Sequence, residues 1–305
     1  MILKCLVQIL ITYHVAAYDN RVITTLKYSR HYMKPVVVNG EPASLGQVPY
    51  MVSIKQKGQR LNINDAIWNS LCGGTILAPT KVLTAAHCFE SKNYNLESNR
   101  EKLRTVAGVL KADLNHDTIT DSDGITQWRH IDSIVSHRDY HFPIYDIALV
   151  FVNARFQYND NVAPISYAHS NTDYMSWCTA SGFGETVHWK GNSMSPQLLI
   201  AKIFVLSRRE CSTIWEMNMD QFLCTRSAYS DVARGDSGGP LVCKGTLEKW
   251  RESPRGILVG VVAGKNFDKT TLFTRVSTYK DWIERNRGFG VRSNVLSVVI
   301  TIFLV

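Results

Sequence analysis

The chain has no apolar run long enough to cross a bilayer. The apolar stretches at its two ends fall short of the about 20 residues that a membrane helix needs. No block of like charges occurs, and no basic stretch is interleaved with aromatics, so a nucleic-acid-binding arm is not indicated. No C-x-x-C pair exists, and Cys72 and Cys88 stand too far apart for a zinc knuckle, so no metal site is expected. There is no N-x-[ST] sequon, so no N-linked glycan is expected. Internal repeats and low-complexity tracts are absent, and helical signals are sparse.

What is present is an ordinary globular balance over 305 residues, with 45% hydrophobic and 20% charged. The net charge of +8 is spread along the chain and reads as a solvated basic surface, with weak adhesion to anionic surfaces as the lesser alternative. Lys4, the apolar run Cys5 to Tyr13 and the small residues Val15-Ala16-Ala17 have the layout of a secretory signal over residues 1–17. Removing it takes away Cys5 and leaves an even set of cysteines, which in an oxidising compartment suggests disulfides and leaves their pairing open. Residues 18–36 are polar and basic and read as a pro-segment.

From Val37 onward short β-rich runs recur between Gly, Asn, Asp and Pro. Examples are 50–54, 74–77, 147–152, 198–205 and 256–262, a spacing that argues an all-β sandwich or barrel. Residues 56–70 and 111–128 read as surface loops. One helix is expected over 276–287, where Val276, Tyr279, Trp282 and Ile283 share a face before Gly288. The tail, 291–305, ends in an uncharged apolar stretch. It has two readings: a GPI-attachment signal with a small residue near 286–290 as its site, or a plain C-terminal extension.

Three strings carry chemistry. Gly235-Asp-Ser-Gly-Gly-Pro240 offers Ser237 as a nucleophile, and a glycine two residues earlier lets the N–H groups of Gly235 and Ser237 face one point as an oxyanion hole. A serine hydroxyl needs a base, and Leu83-Thr-Ala-Ala-His-Cys88 supplies His87 beside a cysteine. The other histidines lie in polar surroundings. Asp146, at the head of the apolar run 147–152, is placed to be a partly buried carboxylate, which needs a partner such as His87.

In their order His…Asp…Ser these strings resemble the trypsin/chymotrypsin family of serine endopeptidases, over roughly residues 37–287. Val38-Asn-Gly-Glu41, Cys72-Gly-Gly-Thr75, Ser181-Gly-Phe-Gly184 and Asp281-Trp-Ile283 support the resemblance. It implies two six-stranded antiparallel β-barrels, over roughly 37–150 and 151–275 of a 37–290 peptidase domain, followed by a C-terminal helix. It implies the disulfides Cys72–Cys88, Cys178–Cys243 and Cys211–Cys224, a triad of His87, Asp146 and Ser237, and no cofactor. Asp236 takes the place of the family's partner for the ammonium of a new N-terminus at Val37. Asp231, six residues before Ser237, takes the place of the specificity-pocket floor and implies cleavage after Arg or Lys.

The chain departs from the family pattern around that pocket. Ala233 replaces a cysteine, Ala263-Gly264-Lys265 replaces Ser-Trp-Gly, and Thr271 stands where a glycine keeps the pocket open. Lys265 is therefore also a candidate partner for Asp231. The activation point departs too, because Val36 precedes Val37 and Pro35 follows Lys34. Two functions follow: a secreted endopeptidase acting on polypeptides, with an activating protease and protein inhibitors as partners, or a catalytically silent homologue that binds through the same fold. Retention of all three chemical residues favours the enzyme. A membrane partner is expected only through a C-terminal lipid anchor. Intact-mass analysis of the secreted protein is expected to find Tyr18 as its first residue before activation and Val37 after it.

Overall fold

The computed structural model describes residues 40–58, 68–90, 99–112, 125–186, 193–226, 232, 235–266 and 269–286. The first barrel is built from β2 (Met51–Lys57), β3 (Trp68–Ala78), β4 (Lys81–Thr84), β5 (Leu103–Ala107), β6 (Gln127–Ser136) and β7 (Ala148–Val152). These strands close in the order β2-β3-β4-β7-β6-β5. The second barrel uses β8 (Trp177–Gly182), β11 (Leu199–Val205), β12 (Phe222–Arg226), β13 (Pro240–Cys243), β14 (Ile257–Lys265) and β15 (Thr271–Arg275). Its order is β8-β11-β12-β15-β14-β13, and pairing of β13 with β8 completes the ring. The strand pairings within both barrels are antiparallel. Closure removes free edges that would otherwise template aggregation.

Two short pairs lie outside the barrels. β1 (Glu41–Pro42) adds to β11 of the second barrel, although it precedes the first in sequence. β9 (Glu185–Thr186) pairs with β10 (Ser193–Met194).

Local sequence explains much of this. Along β11, Leu-Ile-Ala-Lys-Ile-Phe-Val alternates buried and more exposed positions, the period-two signature of a strand with one face in the core. In β7 every residue of Ala-Leu-Val-Phe-Val is buried. The C-terminal segment supplies part of the cover, since Val276, Tyr279 and Ile283 join the core of the first barrel. That segment runs as a 3-10 helix over Val276–Tyr279 and an α-helix over Lys280–Arg285. It ends at Asn286 in extended backbone. Lys81 Nζ donates to Ile283 O at 2.6 Å, fastening the helix to the first barrel.

Several elements were not read from sequence. β2 extends to Lys57 and β3 begins at Trp68, so the ends of the expected loop 56–70 are strand. There Lys55 stands opposite Ser70 and Gln56 opposite Asn69, polar pairs that ladder hydrogen bonds hold in place. Lys55 is fully buried, with Nζ donating to Ser70 Oγ at 3.2 Å and to Ala112 O. In β5, Arg104 breaks the apolar pattern but is covered by the face of Trp68, 5.0 Å from its guanidinium. The helix Arg208–Trp215 is set by a capping box between Ser207 and Glu210, a polar signal in an otherwise β-rich chain.

Disulfides join Cys72 to Cys88, Cys178 to Cys243 and Cys211 to Cys224. The second closes a separation of 65 residues. In the chain-entropy account a loop of that size contributes about 4 kcal/mol. Replacing Cys178 and Cys243 together by Ala is expected to lower the thermal midpoint by about 10 °C, measured by calorimetry against the unaltered chain.

Candidate active site

Asp146 sits at the head of β7 with no exposed surface. A buried carboxylate is costly unless donors surround it. Here Oδ1 accepts the backbone N–H of His87 at 2.9 Å, and Oδ2 lies 2.7 Å from His87 Nδ1. An ionised carboxylate only accepts, so Nδ1 carries the ring proton and Nε2 is left as the basic nitrogen. Thr274 on β15 donates its hydroxyl to the backbone oxygen of Asp146 at 2.8 Å, so the second barrel also holds this residue.

The approach to Asp146 is strained. Tyr145 has φ 55°, in the left-handed region that side chains disfavour. Its ring stacks on His137 at 4.7 Å and meets Tyr279 edge-on at 6.1 Å, contacts that hold the turn. His87 lies in the 3-10 helix Ala86–Phe89 that follows β4. The disulfide at Cys88 pins that helix to β3. The sulfurs of Cys72 and Cys88 come within 4.8 Å of a ring nitrogen of His87, but they are bonded to each other and offer no thiolate pair to a metal.

Burial disfavours the charged imidazole of His87. The charge of Asp146, its hydrogen bond and the charge of Glu90 together outweigh burial and hold the His87 pKa above its ordinary 6.5. Glu90 is itself oriented by Tyr140, whose hydroxyl donates to Oε2 at 2.6 Å.

The Ser237 segment belongs to the second barrel but lies against the first. Gly73 on β3 donates its N–H to Ser237 O at 2.8 Å. Gly238 has φ 75°, and a β-carbon there would fall 2.2 Å from Thr84 Oγ1 and 3.2 Å from Ala85 N. Thr84 and Ala85 lead directly into the helix that carries His87. The glycines after Ser237 thus allow two backbones to meet where a side chain would separate them.

Asp236 is fully buried, and its Oδ1 accepts the N–H of Gly184 at 2.7 Å. A β-carbon on Gly182 or Gly184 would come within 2.0 or 2.3 Å of its carboxylate oxygens. Gly235 has φ 96° and packs under the side chain of Met194.

Val37 and Asp231 lie outside the described residues, as does Ala233. The contacts expected of Val37 with Asp236, and of Asp231 with Lys265, therefore fall there too. Lys265 and Thr271 are described. They face each other across the β14–β15 ladder, with Thr271 buried and Lys265 half-exposed.

Phe142 was not anticipated from sequence. Its ring meets His87 edge-on at 5.7 Å, and it lies 3.2 Å from where a β-carbon on Gly264 would stand. Gly264 is thus small where Phe142 is large. The sequence signal is a glycine in place of an aromatic at 264 and an aromatic at 142, far apart in the chain, and only the fold brings the two together. Replacing Gly184 by Ala is expected to displace the Asp236 carboxylate and lower catalytic turnover by about a hundredfold. Activity assays with circular dichroism as a fold control would measure it.

A family model described as Trypsin matches residues 37–283. The chain is 30% identical to "Serine protease 1" of Drosophila melanogaster, over 83% of this chain and 86% of that protein. It is 27% identical to "Serine protease 28" of Mus musculus, over 83% of this chain and 90% of the relative. It is 29% identical to "Ovochymase" of Halocynthia roretzi over 81% of this chain, a match that spans only 15% of that longer protein. With two closed six-stranded barrels and a family match across most of its length, the chain belongs to the trypsin family of serine endopeptidases.

Proposed function

We propose that this endopeptidase cleaves polypeptides through His87, Asp146 and Ser237, and that the buried Asp146 carboxylate gripping His87 at two points is the observation that carries the reading. Nε2 of His87 takes the hydroxyl proton as Ser237 Oγ attacks the scissile carbonyl. The oxyanion is met by the N–H groups of Gly235 and Ser237. His87 then returns the proton to the leaving amine. Water attacks the acyl-Ser237 ester by the same route, and the serine is restored. Asp146 keeps its charge throughout, fixing the tautomer and stabilising the imidazolium.

Activation follows the same reading. A cut that frees Val37 gives an ammonium whose partner is the Asp236 carboxylate, already buried between Gly182 and Gly184. Asp236 precedes Ser237, so its position sets that of the oxyanion amides. In this scheme residues 1–17 are the signal, 18–36 the pro-segment and 37–290 the peptidase domain of a secreted protein, which an activating protease switches on. Among the described residues no helix is long and apolar enough to cross a membrane. The tail beyond residue 290 is the candidate GPI signal. Asp231 supports preference for Arg or Lys, while Lys265 and Thr271 narrow and recharge the pocket.

Three outcomes test this. In chain freed at Val37, Ser237→Ala is expected to abolish amidolysis, a loss on the order of 10⁶ in kcat, together with fluorophosphonate labelling. Absence of both turnover and labelling in the unaltered chain would favour the silent homologue. Only neutral His87 accepts a proton, so kcat/KM should rise with pH through a midpoint above the ordinary 6.5. Glu90→Gln removes one charge that favours the imidazolium, so it should move that midpoint to lower pH with the maximum rate kept.

A further inference from the structure

β8 and β13 run antiparallel, with Leu241 opposite Ala180 and Cys243 opposite Cys178. At one end of this pair Gly182 packs on Asp236, next to Ser237. The other end, marked by the Cys178–Cys243 disulfide, is the pole of the second barrel turned away from the site. The 244–256 connection leaves and returns there, because Ile257 on β14 pairs with Cys243.

This pole is unusually apolar. Of the seven large hydrophobic side chains exposed among the described residues, four belong to it: Met175 at 59%, Trp177 at 52%, Leu247 at 72% and Trp250 at 79%. Isolated exposed hydrophobes are ordinary, but a group of them marks an interaction surface.

The charges of the connection are sorted. Glu248 is buried and accepts the N–H groups of His169 and Ser170. Glu252 accepts from the N–H groups of Gly245 and Thr246 and from the Thr246 hydroxyl, at 2.6 to 2.9 Å. Both carboxylates are turned onto backbone and order the loop. Lys244, Lys249 and Arg255 remain exposed on its outside, and none of the three forms a salt bridge among the described residues. The neighbouring carboxylates Asp173 and Glu210 face Arg275 and Arg226.

We propose that this pole docks on an anionic phospholipid surface, with Leu247 and Trp250 in the headgroup layer and Lys244, Lys249 and Arg255 against the lipid phosphates. An indole is favoured at that depth, and each cation near an anionic surface strengthens binding about fivefold. The apolar pair decides the partner. A sulfated glycan would engage the cations but would leave Leu247 and Trp250 in water. Docked in this way, the barrel holds Ser237 at its outward end, open to substrate.

Co-sedimentation of the full chain with vesicles of phosphatidylcholine alone, or with phosphatidylserine added, tests this. Leu247→Ser with Trp250→Ser, and Lys244→Glu with Lys249→Glu, provide the contrasts, and all forms carry the same C-terminal tail. The unaltered chain should prefer phosphatidylserine vesicles, and each double variant should weaken that binding by about tenfold or more while amidolysis of a small substrate is kept. Equal vesicle binding by the unaltered chain and the Leu247/Trp250 variant would overturn the proposal. So would absence of vesicle binding with retention on heparin.

Discussion

A negative charge sealed from water is the constraint on which this molecule turns. Asp146 has no exposed surface, and such a group persists only where donors are fixed around it. The donors come from across the fold. The backbone and ring of His87 arrive at the carboxylate from the 3-10 helix after β4, while the hydroxyl of Thr274, on β15 of the other barrel, holds the residue by its backbone oxygen. The left-handed turn at Tyr145 delivers the carboxylate, and a cluster of rings braces that turn. The joint between the barrels and the alignment of the imidazole are therefore one problem with one solution.

A second buried carboxylate orders the backbone beside Ser237. Asp236 is enclosed by Gly182 and Gly184, at distances where no side chain could fit. Beside it, Gly73, Gly238 and Gly239 let the Ser237 backbone lie on the first barrel. Glycine here is a steric requirement, and the freedom it adds to the unfolded chain is a cost the disulfides help offset. The chain thus spends flexibility at the seam and recovers rigidity at the cross-links.

The pairing of His87 with Asp146 was more legible in sequence than the scaffold around it. The strings about His87, Asp146 and Ser237 are short and local, so residue types at fixed spacing announce them. The barrels were legible as a class, because runs such as 147–152 and 198–205 are apolar or alternate. Strand ends at Lys57 and Trp68 were hidden, since the polar residues there pair with one another across a ladder that sequence does not display. β5 was hidden for a related reason, as Arg104 is buried under Trp68, which lies far off in the chain. Phe142 could not be read as a site residue, because its relation to His87 and Gly264 exists only once β14 and the loop before Asp146 are folded together.

The contact of Phe142 with His87 also bears on how this member of the family differs from the common pattern. Gly264 on β14 is small where the ring of Phe142 reaches over from the first barrel, and Lys265 and Thr271 pair across the adjoining β14–β15 ladder. On the proposed reading, selectivity can change here while the proton path through His87 and Ser237 is kept. The most direct test of that path is to quench the activated enzyme with acid during turnover of an ester substrate and map the acylated peptide by mass spectrometry. The account predicts the acyl group on Ser237. An acyl group on another residue, or turnover with no covalent intermediate at all, would contradict it.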